Sequence, residues 1–172
     1  MANVAAELGT PLMPHQRYIA DVAGELLPDG TPRYETVVVT VPRQAGKSTL
    51  VNATLAARAL LWRDWRGWYT AQTGQAARKR YRDLIRAVQA SAIGDVPGLV
   101  KVRRSAGDEV LFIGDSTVSI FSPTPEALHG ESLDGCFIDE GWAFDQERGA
   151  ALLQAAMPAG AARPRRQFWI VS

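Results

Sequence analysis

A run of β-branched residues that leads directly into a glycine, a lysine and two hydroxyl residues restricts the fold of this chain more than any other feature. Residues 37–50 read VVVTVPRQAGKSTL, and the pattern predicts a buried strand, a short loop and then a helix. A phosphate-binding loop has this context and ends in G-K-[ST]. Gly46, Lys47 and Ser48 supply that ending, but Val41 occupies the place of the usual first glycine. The motif alone therefore leaves open a working site, a decayed site or a coincidence.

The loop residues are nevertheless suited to binding a triphosphate. Gly46 permits close approach of the backbone, and a helix that begins at Lys47 directs the positive end of its dipole toward an anion. We expect Lys47 to reach the β and γ phosphates and Ser48 to offer its hydroxyl to Mg²⁺. The predicted nucleotide-binding residues of the loop are Pro42, Arg43, Gln44, Ala45, Gly46, Lys47, Ser48 and Thr49.

A second apolar strand ends in two acidic residues. The stretch GCFIDE, residues 135–140, is apolar up to Asp139 and Glu140. A phosphate site needs a carboxylate at the tip of a neighbouring strand to hold Mg²⁺, and Asp139 is the candidate. Glu140 is the candidate for polarising a water molecule that attacks the γ-phosphate. Because adjacent acids at the end of a buried strand are costly unless they serve an ion or face solvent, the pair favours a working site.

Strands and helices alternate along the chain. Apolar strands are predicted at 34–41, 67–72, 135–140 and 167–172. Helices are predicted at 14–27, 48–61, 74–94 and 146–157, the last of them ending at Pro158. Residues 1–10 show no pattern and are expected to be mobile. The alternation predicts an α/β fold with a mainly parallel central sheet flanked by helices, plus a small β-hairpin insertion around 100–122.

Composition excludes several other classes of protein. The 172 residues suit one domain, and the single cysteine, Cys136, excludes an internal disulfide and is predicted to lie in the core. No apolar run approaches the roughly 20 residues that span a bilayer, and the N-terminus has no secretory pattern, so we expect a cytoplasmic chain without a membrane partner. No Cys/His cluster has the spacing of zinc ligands.

With both motifs placed, the sequence resembles the ATPase domain of the large terminase subunit of tailed bacteriophages, the motor that packages viral DNA. The resemblance extends through nearly the whole chain. In that family the loop often reads like PRQAGKS, with an arginine inside the loop and no leading glycine. Val41 then marks a family variant and Arg43 is the diagnostic residue. The resemblance implies a P-loop NTPase fold of the ASCE type.

The resemblance also implies a function and its cofactors. It implies a Mg²⁺-dependent ATPase that binds ATP and Mg²⁺, with Glu140, Lys47 and Arg43 as catalytic residues and Ser48 and Asp139 as metal ligands. Hydrolysis is expected to drive double-stranded viral DNA into a procapsid. The expected partners are double-stranded DNA, further copies of the chain in a ring that is a pentamer on the portal, the portal protein and the small terminase. The expected location is the host bacterial cytoplasm, with transient binding to the procapsid.

Two other functions remain open from the sequence. A helicase-like or remodelling DNA-dependent ATPase shares the loop and the acidic pair, although the DEGW sequence lacks the ending usual in that lineage. A nucleotide-binding assembly module without activity is the third possibility, and the presence of Glu140 argues against it.

Further assignments depend on the resemblance. Gln16, within PHQRYI, is expected to contact adenine, because its amide offers a donor and an acceptor together. The family commonly has an arginine and a glycine eleven residues before the catalytic glutamate, and the arginine can act in trans; here His129 and Gly130 occupy that place. A neutral histidine is a poor substitute for a guanidinium. The candidates for the missing arginine are Arg78, Arg80 and Arg82, or Arg43 acting in cis.

The sequence leaves the remaining surface features with two interpretations each. The basic residues of 78–86 and of 163–166 are either phosphate contacts or solvated surface. Trp142 is either a cover for the nucleotide or a packing residue, whereas Trp62, Trp65 and Trp68 are expected to pack a turn against the core. WIVS at the end resembles the start of a coupling segment. We therefore expect 1–172 to be a motor domain cut before that segment is complete and without the C-terminal nuclease.

Overall fold

The computed structural model describes residues 1–105, 108–141 and 146–172. Its helices are α1 (Ala2–Glu7), α2 (Pro14–Ala23), α3 (Lys47–Leu61), α4 (Gly74–Gln89), α5 (Ala92–Asp95) and α6 (Gln146–Ala159), with a 3₁₀ helix at Pro125–Leu128. Its strands are β1 (Thr36–Val39), β2 (Arg66–Thr70), β3 (Val100–Ser105), β4 (Asp108–Ile113), β5 (Ser116–Ile120), β6 (Gly135–Asp139) and β7 (Gln167–Val171).

Within the described residues the strands form one sheet of seven in the order β1-β7-β6-β2-β5-β4-β3. The pairs from β1 to β5 in this order are parallel, and β4 and β3 continue the sheet in antiparallel pairs. The predicted α/β class with a mainly parallel sheet is confirmed. The strands predicted as a small insertion around 100–122 extend this sheet directly, because β5 pairs with β2.

The register of three strands positions the two motifs at one edge of the sheet. Val171 of β7 lies opposite Val39 of β1 on one side and opposite Asp139 of β6 on the other. Backbone bonds join Val41 N to the Ser172 carbonyl (3.0 Å) and Ser172 N to the Val39 carbonyl (2.8 Å). The phosphate loop and the acidic pair therefore begin side by side, separated by the width of one strand.

Both faces of the sheet are covered, which explains why the central strands are continuously apolar. Phe137, Trp169 and Tyr69 face the core formed with α1 to α4, whereas Cys136 and Ile138 face the smaller core formed with α6 and the 3₁₀ helix. Asp139 lies two residues after Phe137, so its side chain projects to the α3 and α4 side. In the described part of the chain, no helix has the length and apolar character to cross a membrane.

The turn between α3 and β2 is packed by tryptophans, as predicted. The indole of Trp65 is buried, and its ring lies across the sheet so closely that a Cβ atom on Gly67 or Gly135 would approach it to 2.4 Å. Trp68 packs edge-on against Phe121, and Trp62 lies under the guanidinium of Arg58, 3.9 Å from its ring centre. The predicted packing of this turn against the core by the three tryptophans is therefore confirmed.

Four predictions of local structure were wrong. The helix predicted at 14–27 ends at Ala23, and Gly24 caps it. Residues 1–10 are not a mobile terminus: α1 packs against α3, and Ala5 and Leu8 are buried. The helix predicted at 74–94 is divided between α4 and α5, because Ser91 turns its hydroxyl back to the Val88 carbonyl (2.8 Å) and begins a new turn. The predicted end of the last helix at Pro158 is also wrong, since α6 continues to Ala159 with the proline in its last turn.

Candidate nucleotide site

The loop between β1 and α3 has the backbone of a phosphate-binding turn. Gln44 and Gly46 both adopt left-handed conformations, with φ of 64° and 76°. Gly46 caps α3, and its carbonyl accepts the first helical bond from Leu50 N at 3.2 Å. Pro42, Arg43 and Gln44 are exposed, whereas the loop from Ala45 to Thr49 is half-buried. Such a turn can direct several backbone N–H groups toward one anion.

Lys47 is folded over the start of the loop. Its Nζ donates to the carbonyl oxygens of Val41 and Pro42, both at 3.2 Å. Charged phosphate oxygens are stronger acceptors for an ammonium group than neutral carbonyls. The Lys47 ammonium is therefore held against the first residues of the loop.

Gln16 lies beneath the loop and supports it. Only 2% of the residue is exposed. Its Nε2 donates to the carbonyls of Gly46 (2.8 Å) and Ala45 (3.3 Å), and its Oε1 accepts from Met13 N at 2.7 Å. These bonds connect the first turn of α2 to the loop. Position 46 favours glycine because its φ is 76°, and a Cβ there would also lie 2.2 Å from Gln16 Nε2. The adenine contact of Gln16 stays a prediction, and the amide hydrogens that would make it are engaged with the loop.

The acidic corner is built around a fixed carboxylate. Asp139 is buried at the end of β6, where its Oδ2 accepts from the hydroxyl of Tyr69 (2.9 Å) and its Oδ1 accepts from Glu140 N (2.9 Å). Burial raises the pKa of Tyr69 well above its ordinary value, and the neighbouring carboxylate of Asp139 adds to the shift. Tyr69 therefore remains a hydrogen-bond donor to Asp139. Its sequence signal was weak, since a tyrosine in the strand GWYTAQ is also an ordinary core residue.

Glu140 has a backbone conformation that few non-glycine residues adopt. Its φ is 59°, in the left-handed region. A non-glycine residue there costs about 1–3 kcal/mol and is found mainly at functional sites. The turn brings the half-buried side chain of Glu140 beside that of Asp139 at the same edge of the sheet.

One side chain joins the two corners. Arg80 of α4 donates from Nη1 to Ser48 Oγ in a short hydrogen bond. Its Nε lies 4.0 Å from Asp139 Oδ2, and its Nη2 lies 3.5 Å from Glu140 Oε1. Because a single guanidinium reaches all three residues, the loop and the acidic pair are close enough to share one ligand.

The oxygen atoms at this point suit a small divalent cation. Mg²⁺ is usually held by one or two protein oxygens, with water and substrate phosphates completing its shell. Ser48 and Asp139 provide a hydroxyl and a carboxylate, which are hard oxygen donors. Among the residues described, no group of three or more His, Cys, Asp or Glu side chains forms a self-sufficient metal site. The donor set therefore fits a cation whose coordination shell is completed by water or by phosphate oxygens.

Of the other predicted arginine candidates, Arg78 and Arg82 lie away from the two corners, and Arg43 lies within the loop. Arg78 and Arg82 pair with Glu109 of β4, at 3.7 and 3.5 Å, on a different side of α4 from Arg80. Arg43 is exposed within the loop, and His129 is exposed where it follows the 3₁₀ helix. Trp142 lies outside the described residues.

The second basic patch is largely engaged in structural contacts. Arg163 makes two bonds to the Asp134 carboxylate, at 2.9 and 2.6 Å, and Arg166 pairs with Glu35 at 2.7 Å. Arg165 lies 5.5 Å from the ring centre of Trp62. These contacts favour the structural interpretation of the patch.

Comparison with solved structures shows which proteins have this fold. The HK97 bacteriophage large terminase matches 98% of this chain with a TM-score of 0.75 and 18% identity. The large terminase of a thermophilic bacteriophage, in complex with ADP, matches 94% with a TM-score of 0.69 and 14% identity. The ATPase domain of the Thermus phage P74-26 large terminase matches 97% with a TM-score of 0.68 and 17% identity. The fold is therefore that of phage large terminase ATPase domains, a P-loop NTPase fold.

The chain covers only part of the length of each matched protein. The chain spans 36% of the HK97 protein, 38% of the ADP-bound protein and 66% of the isolated P74-26 domain. No protein-family model and no curated protein matches the sequence. At these identities the likeness establishes the fold, and the chemistry has to be argued from the site.

Proposed function

We propose that this chain is a Mg²⁺-dependent ATPase, the motor domain of a phage large terminase. The observation that carries the proposal is the contact of Arg80 with both Ser48 and the acidic pair. It supports a single site between a phosphate loop and a strand that ends in two carboxylates. The fold shared with terminase ATPase domains, one of which is bound to ADP, supports the same assignment.

In the proposed reaction, the loop amides and Lys47 bind the β and γ phosphates, and Ser48 and Asp139 hold the cation. When bound, Mg²⁺ neutralises part of the charge on the phosphates. Tyr69 and Glu140 N keep the Asp139 carboxylate in one orientation. Glu140 orients a water molecule and accepts its proton as the water attacks the γ-phosphorus, which yields ADP and phosphate. Arg43, exposed in the loop, is the proposed cis contact for the developing charge.

The proposal that hydrolysis drives DNA translocation rests on the large terminases that share this fold. Translocation of double-stranded DNA into a procapsid would need a ring of copies, a portal and a small terminase as partners, in the host cytoplasm. The domain proposed for 1–172 is the motor alone, without the nuclease. Cleavage of plasmid DNA by this chain in the presence of Mn²⁺ would contradict the proposed lack of nuclease activity.

The test of the ATPase proposal replaces Glu140 by glutamine. Glu140→Gln keeps the size of the side chain but removes the base, so turnover should fall about 100-fold or more while ADP binding remains within a few-fold. Steady-state phosphate release and nucleotide titration measure the two effects. Glu7→Gln, the same change at an exposed residue of α1, serves as the matched control and should leave turnover unchanged. If the unaltered chain binds no nucleotide, the proposal fails.

A helicase-like ATPase is distinguished by the fate of the duplex. A packaging motor moves along double-stranded DNA without opening it. Strand separation that depends on ATP and on Glu140 would favour the alternative.

A further inference from the structure

Arg80 is separated from the other arginines of its helix by helical geometry. Arg78 and Arg82 are four residues apart, so they share one face of α4 and pair with the same glutamate, Glu109. Arg80 is turned about 200° from Arg78 and lies beside the buried stripe that includes Ala77, Tyr81 and Leu84. This position directs its side chain over the edge of the sheet rather than outward to solvent.

The guanidinium of Arg80 contacts the same oxygen atoms that the proposed cation needs. Nη1 faces Ser48 Oγ and Nε faces Asp139 Oδ2, while the third nitrogen, Nη2, faces Oε1 of the neighbouring Glu140. The two carboxylates carry two negative charges, and the guanidinium supplies one positive charge between them. Lys47 is occupied with the loop carbonyls and does not replace it.

These contacts are of a kind that a stronger cation can break. The carboxylate distances, 4.0 and 3.5 Å, are those of loose ion pairs, and 41% of the Arg80 side chain is exposed. The helix itself is anchored independently, because the hydroxyl of Tyr81 donates to the Val118 carbonyl at 2.6 Å. The arginine can therefore turn into solvent by side-chain rotation while α4 stays in place.

We propose that Arg80 and a divalent cation compete for Ser48 Oγ and the Asp139 carboxylate, so that binding of the cation displaces the guanidinium. This inference rests on the proposed nucleotide site and adds a residue that sets its affinity for the cation. Arg80 acts here as a positioning residue: it holds the hydroxyl and the carboxylates together and neutralises them until the cation takes its place.

The test measures cation affinity directly and does not depend on turnover. Mn²⁺, a spectroscopic substitute for Mg²⁺, is titrated into the chain without nucleotide and followed by electron paramagnetic resonance. Arg80→Gln should tighten Mn²⁺ binding about twofold to fivefold, which is the scale of a partly exposed ion pair. Arg80→Lys, which keeps the charge, should give an intermediate affinity. Arg82→Gln is the matched control and should leave the affinity unchanged, since Arg82 is 58% exposed and pairs with Glu109.

A second measurement compares ADP affinity with Mg²⁺ and with a chelator. The gain in affinity that Mg²⁺ provides should be larger in Arg80→Gln than in the unaltered chain. The inference is overturned if Arg80→Gln leaves Mn²⁺ affinity unchanged or weakens it, or if neither protein binds Mn²⁺. Absence of ADP binding to the unaltered chain would instead contradict the proposed function, while the Mn²⁺ titration still decides the competition.

Discussion

At the scale of single residues, the sharpest predictions concern Asp134 and Cys136, two buried ionisable side chains outside the candidate site. Asp134 is buried at the start of β6, where its carboxylate also accepts from Arg66 N at 2.9 Å. Arg163 satisfies the rest of the carboxylate with two bonds and also pairs with Asp64 at 3.1 Å. The carboxylate bonds of Arg163 raise its pKa above the ordinary value, with the pair to Asp134 as the largest cause.

We therefore expect Arg163→Ala to destabilise the fold strongly. The substitution leaves the Asp134 carboxylate buried without its partner, which should lower the free energy of unfolding by about 3–5 kcal/mol. Urea unfolding followed by circular dichroism measures the loss. Arg165→Ala, at an exposed neighbouring arginine, should change stability by about 0.5 kcal/mol or less. Equal effects of the two substitutions would contradict the role of the pair.

Cys136 gives a prediction about pH. Burial raises the pKa of its thiol from 9.0 to about 12, so the folded chain holds this proton more tightly than the unfolded chain. The stabilisation is fully present below about pH 9 and is lost as the pH rises toward 12. Between pH 8 and pH 10.5 the unaltered chain should lose roughly 1–2 kcal/mol more stability than Cys136→Ala.

The comparison of the two proteins isolates the cysteine. Tyr69 also has a raised pKa and loses stability in the same alkaline range, but it does so in both proteins. Urea unfolding at the two pH values supplies the measurement. Parallel profiles of stability against pH for the unaltered chain and the variant would show that ionisation of the thiol does not affect the stability of the fold.

At the scale of elements, the packing of α1 can be tested, because no pattern in residues 1–10 indicated it. Leu8 is buried where α1 ends, within the core that contains α3. Leu8→Ala should cost about 2–3 kcal/mol through lost burial and the cavity that remains. Glu7→Ala alters the exposed neighbouring residue and is the control. Thermal unfolding distinguishes them, and equal melting temperatures would mean that α1 contributes little to the core.

Elements also determine what the arginines of α4 do. Amphipathic spacing predicts which face of the helix is buried, and the observed stripe agrees with it. The spacing does not determine which strand or loop lies beside each edge of the buried stripe. Arg80 contacts the acidic pair because β6 lies next to β2, whose following helix is α4.

At the scale of the whole molecule, the proposed ring predicts how activity depends on concentration. His129, which occupies the place where the resemblance to terminases implies a trans-acting arginine, is exposed. If neighbouring copies complete one another's sites, phosphate release per chain should rise with protein concentration across the range in which copies associate. Steady-state assays combined with light scattering measure both quantities. Constant specific activity while the mass increases would contradict completion in trans.

The sequence by itself determined the local elements and the two motifs. A β-branched run, an ending of Gly46, Lys47 and Ser48, and an apolar strand that closes on Asp139 and Glu140 each reflect short-range patterns, which side-chain periodicity and turn chemistry control. Continuous apolar strands likewise predicted a sheet covered on both faces, and the two cores on opposite faces of the sheet agree.

The tertiary structure decided which distant side chains meet. Gln16 supports the loop 29 and 30 residues away, Tyr69 holds an aspartate 70 residues away, and Arg163 pairs with Asp134 across 29 residues. Such contacts depend on strand order and helix orientation, which no local pattern encodes. Arg80 was one of several equivalent arginines in the sequence, and only the packing of α4 against the sheet turned it toward Ser48.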